Sequence, residues 1–95
     1  MRRFTVISTK QYKKDFKRLL KAGADRRKIE AIIDRLSSDA PLPDRCHDHA
    51  LHGSLAGTRE CHIAPDWLLL YARDDSAFVL LLIRTGDHRR VLGIE

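Results

Sequence analysis

The chain has 95 residues, of which 43% are hydrophobic, and a formal net charge of +5. This length predicts one domain, residues 1–95, with a core small enough to gain stability from a partner, and the hydrophobic fraction argues against disorder. No apolar run approaches the ~18 residues of a membrane span. The start, MRRFTVIST, lacks the apolar stretch and cleavage site of a signal peptide, so a cytoplasmic protein is expected.

Two helices are predicted after a short first strand. Residues 4–7 suit a strand, and Ser8 or Thr9 can cap a helix that begins near Lys10 and ends before Gly23. Asp25 can cap a second helix, and the short link between the two implies a helical hairpin. Apolar residues recur at helical spacing in both segments, namely Tyr12, Phe16, Leu19 and Leu20, then Ile29, Ile32, Ile33 and Leu36.

The second half of the chain predicts β-structure. Residues 40–50 form a loop because Pro41 and Pro43 exclude helix. Strands are expected at residues 58–63, 67–73 and 78–84, with a last short strand at residues 91–94. The expected fold is therefore α+β: an N-terminal strand, a helical hairpin and an antiparallel β-meander, with the helices on one sheet face.

Positive charge is concentrated in the first third of the sequence. Residues 1–30 contain eleven Lys or Arg and three Asp or Glu. Such a block favours phosphate backbones through salt-sensitive contacts without sequence specificity. A solvated helix face explains the same block equally well.

Four of the five histidines lie between residues 47 and 62, and imidazole exchanges protons near neutral pH. In a meander the end of the third strand lies beside the beginning of the second. This geometry would gather five side chains at one sheet edge: His62, Asp66, Trp67, Arg84 and His88.

Such a cluster suits RNA cleavage without a metal. Two titratable groups can move protons to and from the reacting oxygens, a guanidinium can hold the phosphate, and an aromatic ring can stack on a base. Simpler interpretations compete: His47 and His52 as exposed loop residues, Trp67 as core, and Arg59 paired with Asp48 or Glu60.

A zinc site is the metal alternative, formed from Cys46, His49, Cys61 and His62. Cys61 and His62 are adjacent, however, and point to opposite faces if they lie in a strand. No metal or cofactor is therefore expected, and both cysteines are expected as free thiols.

The string DHALHGSLAGTRECHIAPDWLLLY, followed by LIRTGDH, resembles the RelE superfamily of bacterial toxins, in its YafQ-like mRNA interferase branch. The resemblance spans nearly all 95 residues. It implies a toxin of a type II toxin–antitoxin system that cleaves translated mRNA in the ribosomal A site. It also implies a cognate antitoxin, through which the complex binds its operator DNA.

The resemblance carries over catalytic positions to His49, His62, Asp66 and His88. His88 exchanges a proton with the reacting oxygens, and Asp66 or His62 is its counterpart, while His49 assists. An RNA-binding set is also expected, consisting of Trp67, Arg59 and Arg84.

One position departs from the family pattern. Leu92 stands where the family commonly has a phenylalanine, which implies a change in substrate preference, and residues 93–95 extend the expected last strand. A ParE-like gyrase poison and a non-catalytic basic nucleic-acid-binding module are the functional alternatives. Neither needs the four catalytic positions together.

Overall fold

A five-stranded mixed sheet organises residues 3–92, the part of the chain that this computed structural model describes. The elements follow in the order β1 (Thr5–Ser8), α1 (Lys10–Lys21), α2 (Arg26–Ser37), β2 (His49–Ala50), β3 (Arg59–Ala64), β4 (Trp67–Asp74), β5 (Val79–Gly86) and α3 (His88–Leu92). The strand order is β1-β5-β4-β3-β2. β1 pairs with β5 in parallel, and the other pairs are antiparallel. The α+β fold, the helical hairpin and the meander are thus confirmed.

Both predicted helix caps are present. The Thr9 hydroxyl accepts a hydrogen bond from the Tyr12 N–H at 3.0 Å and donates one to the Ile83 carbonyl at 2.7 Å. It therefore caps α1 and also ties it to β5. Asp25 caps α2 by accepting from the Arg27 N–H at 3.0 Å.

Hydrophobic residues cover the sheet on both faces, as the nearly continuous apolar sequence of β4 requires. On one face, α1 and α2 pack against β3, β4 and β5 through a large cluster that includes Ile29, Ile32, Leu69 and Leu80. A smaller cluster of Leu68, Leu70 and Val91 lies apart from it and brings α3 against β4. Because neighbouring residues of a strand face opposite ways, the two clusters occupy opposite faces.

The prediction of a strand at residues 91–94 is wrong for the part of this segment that the structure describes. His88–Leu92 forms the helix α3, which begins after Asp87. The Asp87 carboxylate accepts from the Arg90 N–H at 2.9 Å, and the Asp87 carbonyl accepts from the Val91 N–H at 3.0 Å. The side chain of Leu92 and the whole of residues 93–95 lie outside the described part.

The loop expected at residues 40–50 is more ordered than the sequence indicated. It contains a 3-10 turn at Asp44–Cys46 and ends in the two-residue strand β2. β2 matters for the site because its pairing with β3 places His49 opposite Glu60. None of the helices within residues 3–92 has the length and apolar character needed to cross a membrane.

Candidate active site

Glu60 is a buried carboxylate placed between two histidines. Its Oε1 atom lies 3.6 Å from His62 Nε2 and 3.9 Å from His49 Nε2. Glu60 and His62 share a face of β3 because they are two residues apart, and β2 brings His49 to the same place. The Glu60 side chain is only 4% exposed, whereas His49 is 50% exposed. A carboxylate placed this way orients the two imidazoles.

His88 joins this group from the far end of the meander. The His62 and His88 ring centroids are 5.7 Å apart at an interplanar angle of 65°. His88 Nδ1 lies 3.9 Å from Asp66 Oδ1. The pairing of Leu68 with Gly86 brings the β3–β4 turn, which carries Asp66, beside the residue that begins α3. The structure thus brings His62, Asp66 and His88 together at one sheet edge.

His47 also contacts the cluster, although the sequence predicts it as an exposed loop residue outside the site. Its ring centroid is 5.6 Å from that of His62, in an edge-to-face arrangement. His47 has a left-handed backbone conformation with φ of 47°. Its carbonyl oxygen lies 2.5 Å from His49 Nδ1. Because a carbonyl only accepts, this contact makes Nδ1 the protonated nitrogen of His49.

Trp67 lies in the core rather than in the open part of the site. Its relative exposure is 8%, and it belongs to the large cluster on the α1–α2 face. The indole Nε1 donates to the Thr85 hydroxyl at 2.9 Å, and that hydroxyl donates to the Leu68 carbonyl at 2.7 Å. The expected stacking of Trp67 on an RNA base does not fit this placement, because the ring is covered by protein.

Arg84 is held by a buried carboxylate of α1. Its Nε and Nη2 atoms each lie 3.1 Å from an oxygen of Asp15, which is fully buried. Asp15 also accepts from the Thr85 N–H at 3.2 Å, just beyond the last β1–β5 pair, Ser8 with Leu82. Asp15 therefore takes the place of a neighbouring strand at this edge of β5.

Five donors surround the Asp15 carboxylate, because Gln11 and Arg18 each donate to it at 3.0 Å as well. Burial alone would raise the pKa of the Asp15 carboxyl. The hydrogen bonds, led by those from Arg84, outweigh burial and lower that pKa below its usual value. The same pair raises the pKa of Arg84. Arg84 is thus a fixed, permanently charged group whose side chain remains 31% exposed.

Arg59 is also paired, as the simpler interpretation anticipated. Its Nη2 lies 3.2 Å from Asp48 Oδ2, and the buried Tyr71 hydroxyl donates to Asp48 Oδ1. Burial and the contact with Asp48 raise the pKa of the Tyr71 hydroxyl, so Tyr71 remains a donor. This network anchors Asp48, the residue immediately before His49.

The Cys/His zinc site is not assembled. Cys46 and Cys61 are buried in the α1–α2 core, whereas His62 follows Cys61 directly in β3 and faces the opposite way. Burial raises the pKa of the Cys61 thiol, which disfavours the thiolate that a metal would need. A different set, Glu60, His62 and His88, offers ligand atoms within 4.8 Å of one another. Two imidazoles and a carboxylate suit zinc or copper.

Sequence reasoning missed Glu60 and Asp15. Glu60 had a usable signal, because its two-residue spacing from His62 places both side chains on one face of a strand. Asp15 had a weaker one, an acidic residue among the lysines of the first helix. Its partner Arg84 lies 69 positions away, and no local pattern joins the two.

Comparison with known proteins shows the family to which the chain belongs. A family model described as a bacterial toxin of type II toxin-antitoxin system, YafQ, matches residues 4–93. The mRNA interferase toxin YafQ of Escherichia coli (strain K12) is 38% identical over 84 residues, covering 87% of this chain and 89% of that protein.

Two solved structures extend the comparison. The E. coli DinJ-YafQ toxin-antitoxin complex is similar with a TM-score of 0.85 and 35% identity, covering 96% of this chain and 99% of the other. A metal-bound toxin from Helicobacter pylori is similar with a TM-score of 0.87 and 35% identity, covering 93% of this chain and 98% of the other. The chain belongs to the YafQ family of bacterial type II toxins.

Proposed function

We propose that this protein is the toxin of a type II toxin–antitoxin pair and an endoribonuclease that cleaves mRNA. One observation carries the proposal: His49, His62 and His88 lie around the buried Glu60, and Asp66 contacts His88. Family membership supports it, because the E. coli relative is named an mRNA interferase.

The chemistry needs no metal. The 2′-oxygen of RNA attacks the adjacent phosphorus while the P–O5′ bond breaks, so one proton must leave the 2′-oxygen and one must reach the 5′-oxygen. Two groups on opposite sides of the phosphorus meet this need, each contributing roughly 10²–10⁴ in rate. The products are a 5′-hydroxyl fragment and a fragment that ends in a cyclic or 3′-phosphate.

His88 exchanges a proton with the reacting oxygens, and His62 or Asp66 is its counterpart. Both candidates contact His88: the His62 ring lies 5.7 Å from it and the Asp66 carboxylate 3.9 Å. Glu60 lies next to His62 and His49 and orients both imidazoles. Arg84 neutralises charge on the phosphate with the part of its guanidinium that Asp15 does not engage.

The same site offers a set of metal ligands, which the proposed chemistry does not require. Glu60, His62 and His88 would be the ligands of a bound zinc or copper ion. Such an ion would act as a Lewis acid when bound. It would also take up nitrogen lone pairs that His62 and His88 need for proton transfer.

The ribosome and a cognate antitoxin are the proposed partners. Ribosome-held mRNA presents an ordered phosphate, and such positioning lowers a reaction barrier by several kcal/mol or more. The basic, exposed side of α1 suits the ribosomal RNA surface. An antitoxin would neutralise the nuclease, as the complex of DinJ with the E. coli relative suggests. Because the proposed substrate is translated mRNA, the proposed site of action is the cytoplasm.

Tightly regulated expression in bacteria, with cleavage sites mapped on translated and untranslated copies of one message, tests the proposal. Cleavage is expected only in the translated copy. His88→Ala should reduce it roughly 10²–10⁴-fold, the contribution of one acid–base group.

His52→Ala is the matched control, because His52 is an exposed loop histidine to which no role in the site is assigned. It should cleave like the parent. Growth arrest with intact mRNA would contradict the proposal and favour a ParE-like gyrase poison. Toxicity and RNA binding that survive both His88→Ala and Asp66→Ala would favour a non-catalytic module.

A further inference from the structure

A large cleft lies beside the histidine cluster, between α2 and the β3–β4 region. Its volume is about 760 Å³, within the ~300–1,000 Å³ typical of ligand sites. One wall comes from α2, and the other from Ile63, Ala64 and Pro65. His47 and His62 form part of the lining, so the cleft adjoins the proposed reaction site.

The cleft is strongly basic. Its charged lining consists of Arg27, Lys28, Arg35 and Arg45, with no carboxylate among the lining residues. Arg27 pairs with Asp25, and Arg35 donates to the Pro41 carbonyl, which leaves its charge uncompensated. Among residues 3–92, Lys28 and Arg45 form no salt bridge. At least three positive charges are therefore available to an anionic ligand.

We propose that this cleft binds the sugar–phosphate backbone of the mRNA segment adjoining the cleaved phosphate. The inference rests on the proposed nuclease function. A chain whose phosphate reacts beside His62 and His88 must continue away from that point, and His62 also lines the cleft. Lys28 and Arg45 would contact phosphates, while Ile63 and Pro65 offer apolar contact to sugars or bases.

An acidic segment of the antitoxin is the rival occupant because it has the same charge. RNA is favoured because the cleft shares His62 with the reaction site, so a bound chain would connect the two. The experiment below separates these occupants.

The test compares binding of a short single-stranded RNA to His88→Ala protein with and without Lys28→Gln plus Arg45→Gln. Affinity should fall about ten-fold at low salt. The slope of log affinity against log salt should become shallower by about 1.4, because each phosphate contact on a single strand contributes about 0.7. With His88 restored, the double variant should cleave translated message with a raised KM and a nearly unchanged kcat.

Two control variants distinguish charge in the cleft from the total charge of the protein. Arg3→Gln plus Arg26→Gln removes the same charge from exposed salt bridges outside the cleft, so affinity should change less than two-fold. Lys28→Arg plus Arg45→Lys keeps the charges and should retain binding. Circular dichroism checks that each variant is folded.

Two results would overturn the inference: no measurable RNA binding by the His88→Ala parent at low salt, or equal RNA affinity with and without the cleft substitutions. The second would favour the antitoxin segment as the occupant of the cleft. Failure of the parent protein to cleave any message would instead reject the nuclease function itself.

Discussion

Asp15 has a structural role that no local sequence pattern indicates. It is fully buried, and it holds Arg84 and the Thr85 N–H of β5. Breaking a buried ion pair by removing one partner costs about 3–5 kcal/mol. We expect Asp15→Ala to lower the free energy of unfolding by roughly 3 kcal/mol, near the bottom of that range, because Arg84 and Arg18 still reach water. Urea unfolding at pH 7 measures the loss.

The pH dependence of Asp15 follows from the sign of its pKa shift. Its folded pKa is lowered below the unfolded value of about 3.9. The charged carboxylate therefore contributes stability above about pH 4, which is lost as the pH falls through the folded pKa. The stability difference between the parent protein and Asp15→Asn should shrink from pH 7 to pH 3. An equal difference at both values would contradict this account.

At the level of elements, the short helix α3 positions His88. Val91 is only 4% exposed and packs with Leu68 and Leu70 of β4. Val91→Ala removes two buried methyl groups, so the free energy of unfolding should fall by about 1–2 kcal/mol, at about 0.8 kcal/mol per group. The cleavage rate should fall as well, because a loosened α3 no longer holds His88 beside His62.

Arg89→Ala is the control for α3, because Arg89 is exposed on the same helix. It should leave both unfolding and cleavage close to those of the parent. If Val91→Ala lowers stability but leaves the cleavage rate unchanged, α3 does not position His88.

At the scale of the whole molecule, two basic surfaces have separate proposed roles: α1 in ribosome association and the cleft beside α2 in mRNA binding. The exposed lysines of α1 lie on a different element from the cleft beside α2. Lys14→Gln plus Lys21→Gln should weaken ribosome association, measured by co-sedimentation, and should make it less sensitive to salt. Short-RNA affinity should change little. Unchanged co-sedimentation over a range of salt concentrations would remove α1 from the ribosome-binding surface.

Local patterns in the sequence were sufficient for most of the fold. The stripes of α1 and α2, their caps at Thr9 and Asp25, and the three meander strands depend on spacings of a few residues. The chain end differs from the prediction because Val91 suits a strand by propensity, whereas capping by Asp87 and burial against β4 favour a helix. Propensity is a weak preference that tertiary contacts override.

The candidate site, too, could be predicted from the sequence only in part. Spacing in the meander was enough to bring His62, Asp66 and His88 to one edge, because hairpins fix which residues are neighbours. Only the folded molecule shows that Trp67 is covered, that Arg84 is held by Asp15, and that Glu60 lies beneath two imidazoles. Burial and long-range pairing depend on how sheet and helices pack together, and local sequence carries no record of that packing.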